Sequence, residues 1–169
     1  MYRTLIIFAT FISSIFYLHA QTSCDEIMDN VIQHSETKKG FVMAQINKKT
    51  KNLNMCIFDY GVGIYNTMKG PVNKPRNEVD AISLSLQEGR KGYKSIGQGN
   101  GMWGLYNIVN ENVGHLNIIS GTAGLFFRNK KTTTITDLTV LNFKTGRSTS
   151  INFHINLNKV SNMKNFNFI

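Results

Sequence analysis

The sequence predicts an α+β domain, a two-layer α/β sandwich in which one mixed β-sheet is covered by helices on one face. Three observations point there. An apolar stripe at helical spacing occupies residues 23–35. Two β-type runs, 41–46 and 53–58, flank a polar turn. After Gly114 the pattern changes to a succession of strands. At 169 residues, with 41% hydrophobic and 17% charged residues, the chain can bury one core and is too apolar for disorder.

The first twenty residues, MYRTLIIFATFISSIFYLHA, hold an apolar run with Ala20 placed where a signal peptidase could cut. The run from Leu5 to Leu18 is short for a membrane span. A helix packed on the domain is the preferred reading, over a signal peptide. In SCDEIMDNVIQHS (23–35), Cys24, Ile27, Met28, Val31 and Ile32 form the stripe, and Ser23 with Glu26 makes a capping-box pattern. The polar ETKKG ends that helix at Gly40.

The runs around NKKTKN read as a hairpin whose second strand ends in Asp59. Residues 65–77 contain both prolines and read as a loop. EVDAISLSLQE (78–88) reads as a helix with Val79, Ile82 and Leu86 inward. GRKGYKSIGQGNG (89–101) is glycine-rich and basic, and a helix from about 102 to 112 follows, burying Met102, Leu105, Ile108 and Val109. HLNIIS, GLFFR, TDLTVLNF and SINFHINL are then four strands, and an Asn-rich tail closes the chain.

The net charge of +9 is compatible with an anionic partner. The lysines are scattered, and no run of five like charges occurs, so nucleic acid is not expected as a partner. Cys24 and Cys56 fit neither a metal spacing nor a disulfide scaffold, which predicts reduced thiols and a cytoplasmic setting.

Three segments carry candidate chemistry. Glu26, Asn30 and His34 share one helix face opposite the apolar stripe. An amide oxygen such as that of Asn30 can ligate magnesium, and a carboxylate one turn away can activate water. The plain alternative is a solvated helix face. Asp59 ends an apolar strand and is followed by Gly61 and Gly63. A carboxylate there can accept from an exocyclic amine, or it can simply bond its own backbone in a turn. Gly97, Gly99 and Gly101 lead into a helix at Met102 and could let a phosphate approach successive N–H groups. A floppy loop is the alternative. The spacing is neither a P-loop nor a Rossmann fingerprint.

Taken together, DEIMDNVIQHS, DYGVGI and GQGNGMWGL resemble the N box and the two glycine boxes of the GHKL superfamily, the Bergerat ATP-binding fold of gyrase, heat-shock chaperones, histidine kinases and mismatch-repair ATPases. The His34 ending is most similar to the anti-sigma-factor serine-kinase-like branch. HLNIISGTAG and STSINFHI also fit, so the resemblance spans roughly residues 20–157.

The resemblance implies ATP and magnesium as cofactors. It implies that Asn30 holds the metal, that Glu26 is the general base and that Asp59 binds the adenine amino group, beside Gly61 and with Gly63 beneath the base. Lys94, Gly97, Gly99, Asn100, Gly101 and Met102 would form the phosphate lid and its hinge, and Thr149 would touch adenine through water. Tyr60 stands where the family commonly has asparagine, which costs little if its side chain points outward. Residues 1–22 do not resemble a phosphoacceptor-histidine segment and residues 159–169 do not resemble a transducer domain, so neither a complete sensor kinase nor a gyrase-like arrangement is expected.

The expected organisation is an N-terminal helix (1–22), a GHKL-type ATP-binding domain (23–158) and a polar tail (159–169). The expected function is Mg–ATP binding coupled to phosphate transfer to, or regulation of, a partner protein, with room for a homodimer and no membrane role. An ATP-gated interaction module and a slow ATPase are the alternatives.

Overall fold

The computed structural model describes residues 40–70, 74–89, 101–128, 131–138 and 148–160. Strands β1 (Gly40–Asn47) and β2 (Asn52–Asp59) are followed by helices α1 (Gly63–Met68), α2 (Glu78–Ser85) and α3 (Gly101–Glu111). Strands β3 (His115–Ser120), β4 (Ala123–Arg128), β5 (Lys131–Asp137) and β6 (Thr149–Asn156) come next, and a last turn of helix, α4, spans Leu157–Val160. The six strands form one sheet in the order β1-β2-β6-β3-β4-β5.

The two-layer α+β class holds, and among the described strands the sheet is antiparallel where a mixed one is expected. Every ladder among the described strands is antiparallel. The physical reason is β6. The helical crossover from β2 to β3 leaves those two strands pointing the same way, and β6 runs between them, antiparallel to both.

Strand alternation sorts the side chains. Leu53, Met55 and Ile57 of β2, Ile151, Phe153 and Ile155 of β6, and Leu116 and Ile118 of β3 all point to the covered face and are buried. They share a core with Phe127 of β4, Ile82 of α2, and Leu105 and Val109 of α3. Each such side chain contributes about 1.5–3 kcal/mol by leaving water. Met102, Ile108, Val79 and Leu86 pack on the same core while partly exposed, as their spacing predicts.

Local chemistry explains the ends. Asn47 closes the hairpin, its Oδ1 accepting from the amides of Lys49 (3.0 Å) and Thr50 (3.1 Å). Asn77 caps α2 by accepting from the Asp80 amide at 2.8 Å. At the end of α3, Val113 takes φ 52°, a left-handed conformation costly for a β-branched residue. Gly114 follows because a Cβ there would lie 2.3 Å from the His154 carbonyl oxygen.

Three elements differ from expectation or cross an expected bound. The loop expected over 65–77 begins with α1, whose six residues are too short to show a period. The described strand after β4 is Lys131–Asp137, which begins five residues before the expected TDLTVLNF and pairs through threonines; most of TDLTVLNF lies outside the described residues. Helix α4 crosses the boundary expected between domain and tail.

Candidate functional site

Three strands end together at one edge of the covered layer. Asp59 closes β2, Thr149 opens β6 and Ser120 closes β3, and the three are Cα partners in register. All sit on the core-facing side, at 8%, 8% and 3% exposure. Apolar residues fill that face up to this row, so these polar groups mark where the core gives way to a site. The Ser120 and Thr149 hydroxyls are hydrogen-bonded at 3.1 Å. Ser120 Oγ also accepts from the Ile64 amide at 2.8 Å, which ties the start of α1 to the strand ends.

Asp59 Oδ1 accepts from the Gly61 amide at 2.6 Å, and the Thr149 backbone amide also bonds the carboxylate. Burial pushes the carboxyl up from its ordinary range, while these two amide bonds pull it back. A carboxylate offers about four lone-pair sites. Two amides leave capacity for another donor, such as an exocyclic amine. The backbone turn and the binding role set against each other in the sequence are therefore compatible: the turn aims the carboxylate.

Gly63 begins α1 with φ 80°, a conformation that favours glycine, and is buried beside this row. Tyr60 turns the other way. It is 59% exposed and packs edge-on against Phe58, with ring centroids 4.7 Å apart, on the opposite face of the sheet.

A supporting residue that sequence reasoning passed over is Glu78, the first residue of α2. Its carboxylate accepts from both the amide and the hydroxyl of Thr122, fixing the β3–β4 turn beside Ser120. Gly121, at φ 59°, leaves room for that carboxylate, because a Cβ would stand 2.3 Å from Glu78 Oε1. Its amide bonds the Ser148 carbonyl at 3.2 Å, next to Thr149. Only the tertiary contact marks Glu78 out; nothing in its local sequence does.

Of the predicted site residues, Asp59, Gly61, Gly63 and Thr149 are brought together. Gly101 begins α3 and is buried, while the Met102 side chain packs on the core. The end of α3 is closed by backbone bonds of residues 112–114, which lead directly into β3. Glu26, Asn30, Lys94, Gly97, Gly99 and Asn100 lie outside the described residues. So do the expected N-terminal helix and most of the polar tail.

Among solved structures, the chain is similar to the topoisomerase IV ATP-binding domain of Francisella tularensis in complex with a small-molecule inhibitor. Identity is 14% and the TM-score 0.46, over 85% of this chain and 38% of that one. It is also similar to the 43K ATPase domain of Thermus thermophilus gyrase B in complex with an aminocoumarin, at 15% identity and TM-score 0.44, over 84% of this chain and 35% of that one. The chain thus spans little more than a third of these neighbours' lengths. No family model and no curated protein matches. At these identities and scores the likeness assigns no role to any residue.

Elsewhere, a cavity of about 490 Å³ opens on the opposite sheet face, lined by His115, Asn117, Asn152 and His154 together with Met43 and Cys56. It shares no residue with the Asp59 row. Among the described residues no group of three or more His, Cys, Asp or Glu could hold a metal. No described helix is long and apolar enough to cross a membrane.

Proposed function

We propose that this chain is a Mg–ATP-binding domain of the GHKL type that transfers phosphate to, or regulates, a partner protein in the cytoplasm. The observation that supports it is the convergence of Asp59 and Thr149. The family resemblance implies that both touch adenine, they lie far apart in sequence, and they are register partners on adjacent strands. Asp59 then accepts from the adenine amino group, held in place by Gly61 and Thr149, and Gly63 lets the base approach the backbone.

Asn30 would hold magnesium, which neutralises phosphate charge. Glu26 would orient or deprotonate the attacking group, and the segment holding Lys94, Gly97, Gly99, Asn100 and Gly101 would offer N–H groups to the phosphates, with Met102 continuing into α3. The anti-sigma-factor kinase branch, with its N box ending in His34, is the relative this output suggests.

Isothermal titration with Mg–ATP tests the reading. Wild type binds, Asn30→Ala loses the magnesium dependence, and Glu26→Gln binds ATP but no longer consumes it. Wild type that fails to bind Mg–ATP refutes the proposal. Full partner regulation by Glu26→Gln reassigns the domain as an ATP-gated interaction module.

A further inference from the structure

The sheet face that no described helix covers has a composition unlike a merely solvated surface. Alternation sends one residue in two outward. At the Asp59 end this gathers Phe41, Phe58 and Tyr60, whose ring centroids lie 4.7–6.4 Å apart. Phe41 is 56% exposed and Met43 beside it 69%. The middle rows carry side-chain amides and imidazoles, with Asn54, His154 and His115 in one row and Asn152 and Asn117 in the next. They line the 490 Å³ cavity.

The row of Asn54, His154 and His115 continues into exposed Arg128 and its register partner Lys131, and the hairpin turn past that row, at the end away from Asp59, adds Lys48, Lys49 and Lys51. None of the outward positions of β1, β2, β3, β4 or β6 is Asp or Glu. The sequence scatters these cations. The pleat places Arg128 on the aromatic and amide face and sets the turn lysines along the same end of the sheet.

We propose that this face binds single-stranded nucleic acid. The aromatic corner stacks bases, the amides and imidazoles bond base edges, and the cations beside and beyond the imidazole row neutralise phosphates. Every base has a π-face, so stacking of this kind tolerates sequence, and a four-to-six-strand sheet is a sufficient platform. Charge complementarity decides the occupant: an acid-free face on a chain of net charge +9 suits a polyanion, and exposed rings suit unpaired bases. The site is independent of the Asp59 row, which faces the helices.

The test is fluorescence anisotropy of the full-length chain with a fluorescein-labelled 15-mer of deoxythymidine, across a salt series. Wild type binds, with affinity falling as salt rises. Phe41→Ala weakens binding by about five- to a hundredfold. Arg128→Glu with Lys131→Glu flattens the dependence of log K on log salt by about 1.4. These three positions are exposed, and unchanged circular-dichroism melts confirm that the variants fold. Unlabelled polyglutamate competes poorly. Absence of binding at 50 mM salt, Phe41→Ala binding like wild type, or polyglutamate competing as well as the oligonucleotide overturns the proposal. Mg–ATP affinity unchanged in Phe41→Ala separates this face from the nucleotide site.

Discussion

Asp59→Asn separates the two roles of the buried carboxylate. The substitution keeps one acceptor oxygen and the side-chain volume but removes the charge and turns one edge into a donor. A hydrogen bond to a charged acceptor is worth about 1.5–3 kcal/mol, so losing it from the adenine amino group weakens Mg–ATP binding by about 10- to 150-fold. Stability responds differently. Burial raises the folded carboxyl's affinity for its proton above that of the unfolded chain. The contribution of Asp59 is therefore fully present below the ordinary carboxylate range and is lost as pH rises through the raised folded value. The variant has no such loss, although it gives up one bond from Gly61 or Thr149, worth about 1 kcal/mol at every pH. The melting temperature of Asp59→Asn should therefore gain on wild type as pH rises above the ordinary carboxylate range. Circular-dichroism melts at several pH values and calorimetric titration with Mg–ATP measure both effects. Parallel pH profiles would refute the desolvation argument, and an unchanged Kd would refute the pocket.

Ser120→Ala leaves the Ile64 amide without its partner and should cost about 1–3 kcal/mol in urea unfolding, with weaker ATP binding because Thr149 loses its hydroxyl contact. Gly121→Ala forces a Cβ against the Glu78 carboxylate in a left-handed conformation; a loss of about 2 kcal/mol or more is expected by the same measurement. Val113→Gly should stabilise the domain by about 0.5–1 kcal/mol, since it relieves left-handed strain at the end of α3, and a raised melting temperature checks it. Leu105→Ala, in the buried seam of α3, should cost about 2–5 kcal/mol.

The periodic elements were legible. The hairpin bounds fall within one residue of those expected, because alternation and a polar turn are both local signals. The inward residues of α3 were legible for the same reason. Helix α1 was not, since its residues fold around Gly63 and Ser120 rather than by a period of their own. Strand β5 escaped because KTTTITD pairs with β4, across a register shift between Ala123 and Leu125, while lacking an apolar alternation. At the site, a strand-final aspartate followed by glycines was readable. Glu78 was not, since its importance lies in meeting Thr122 from another element. The antiparallel sense of the sheet was likewise hidden, because it depends on where the last strand inserts.

That insertion shapes how the molecule can be made. With β6 at its centre, the sheet before residue 149 exists only as two unjoined ribbons, β1–β2 and β3–β4–β5, each with an open backbone edge. A ribosome delivers the seam after the other five strands and after α1, α2 and α3. Until the seam arrives, Asp59 has no neighbour on its inner flank, and the nascent chain offers those two open edges to other chains or to chaperones.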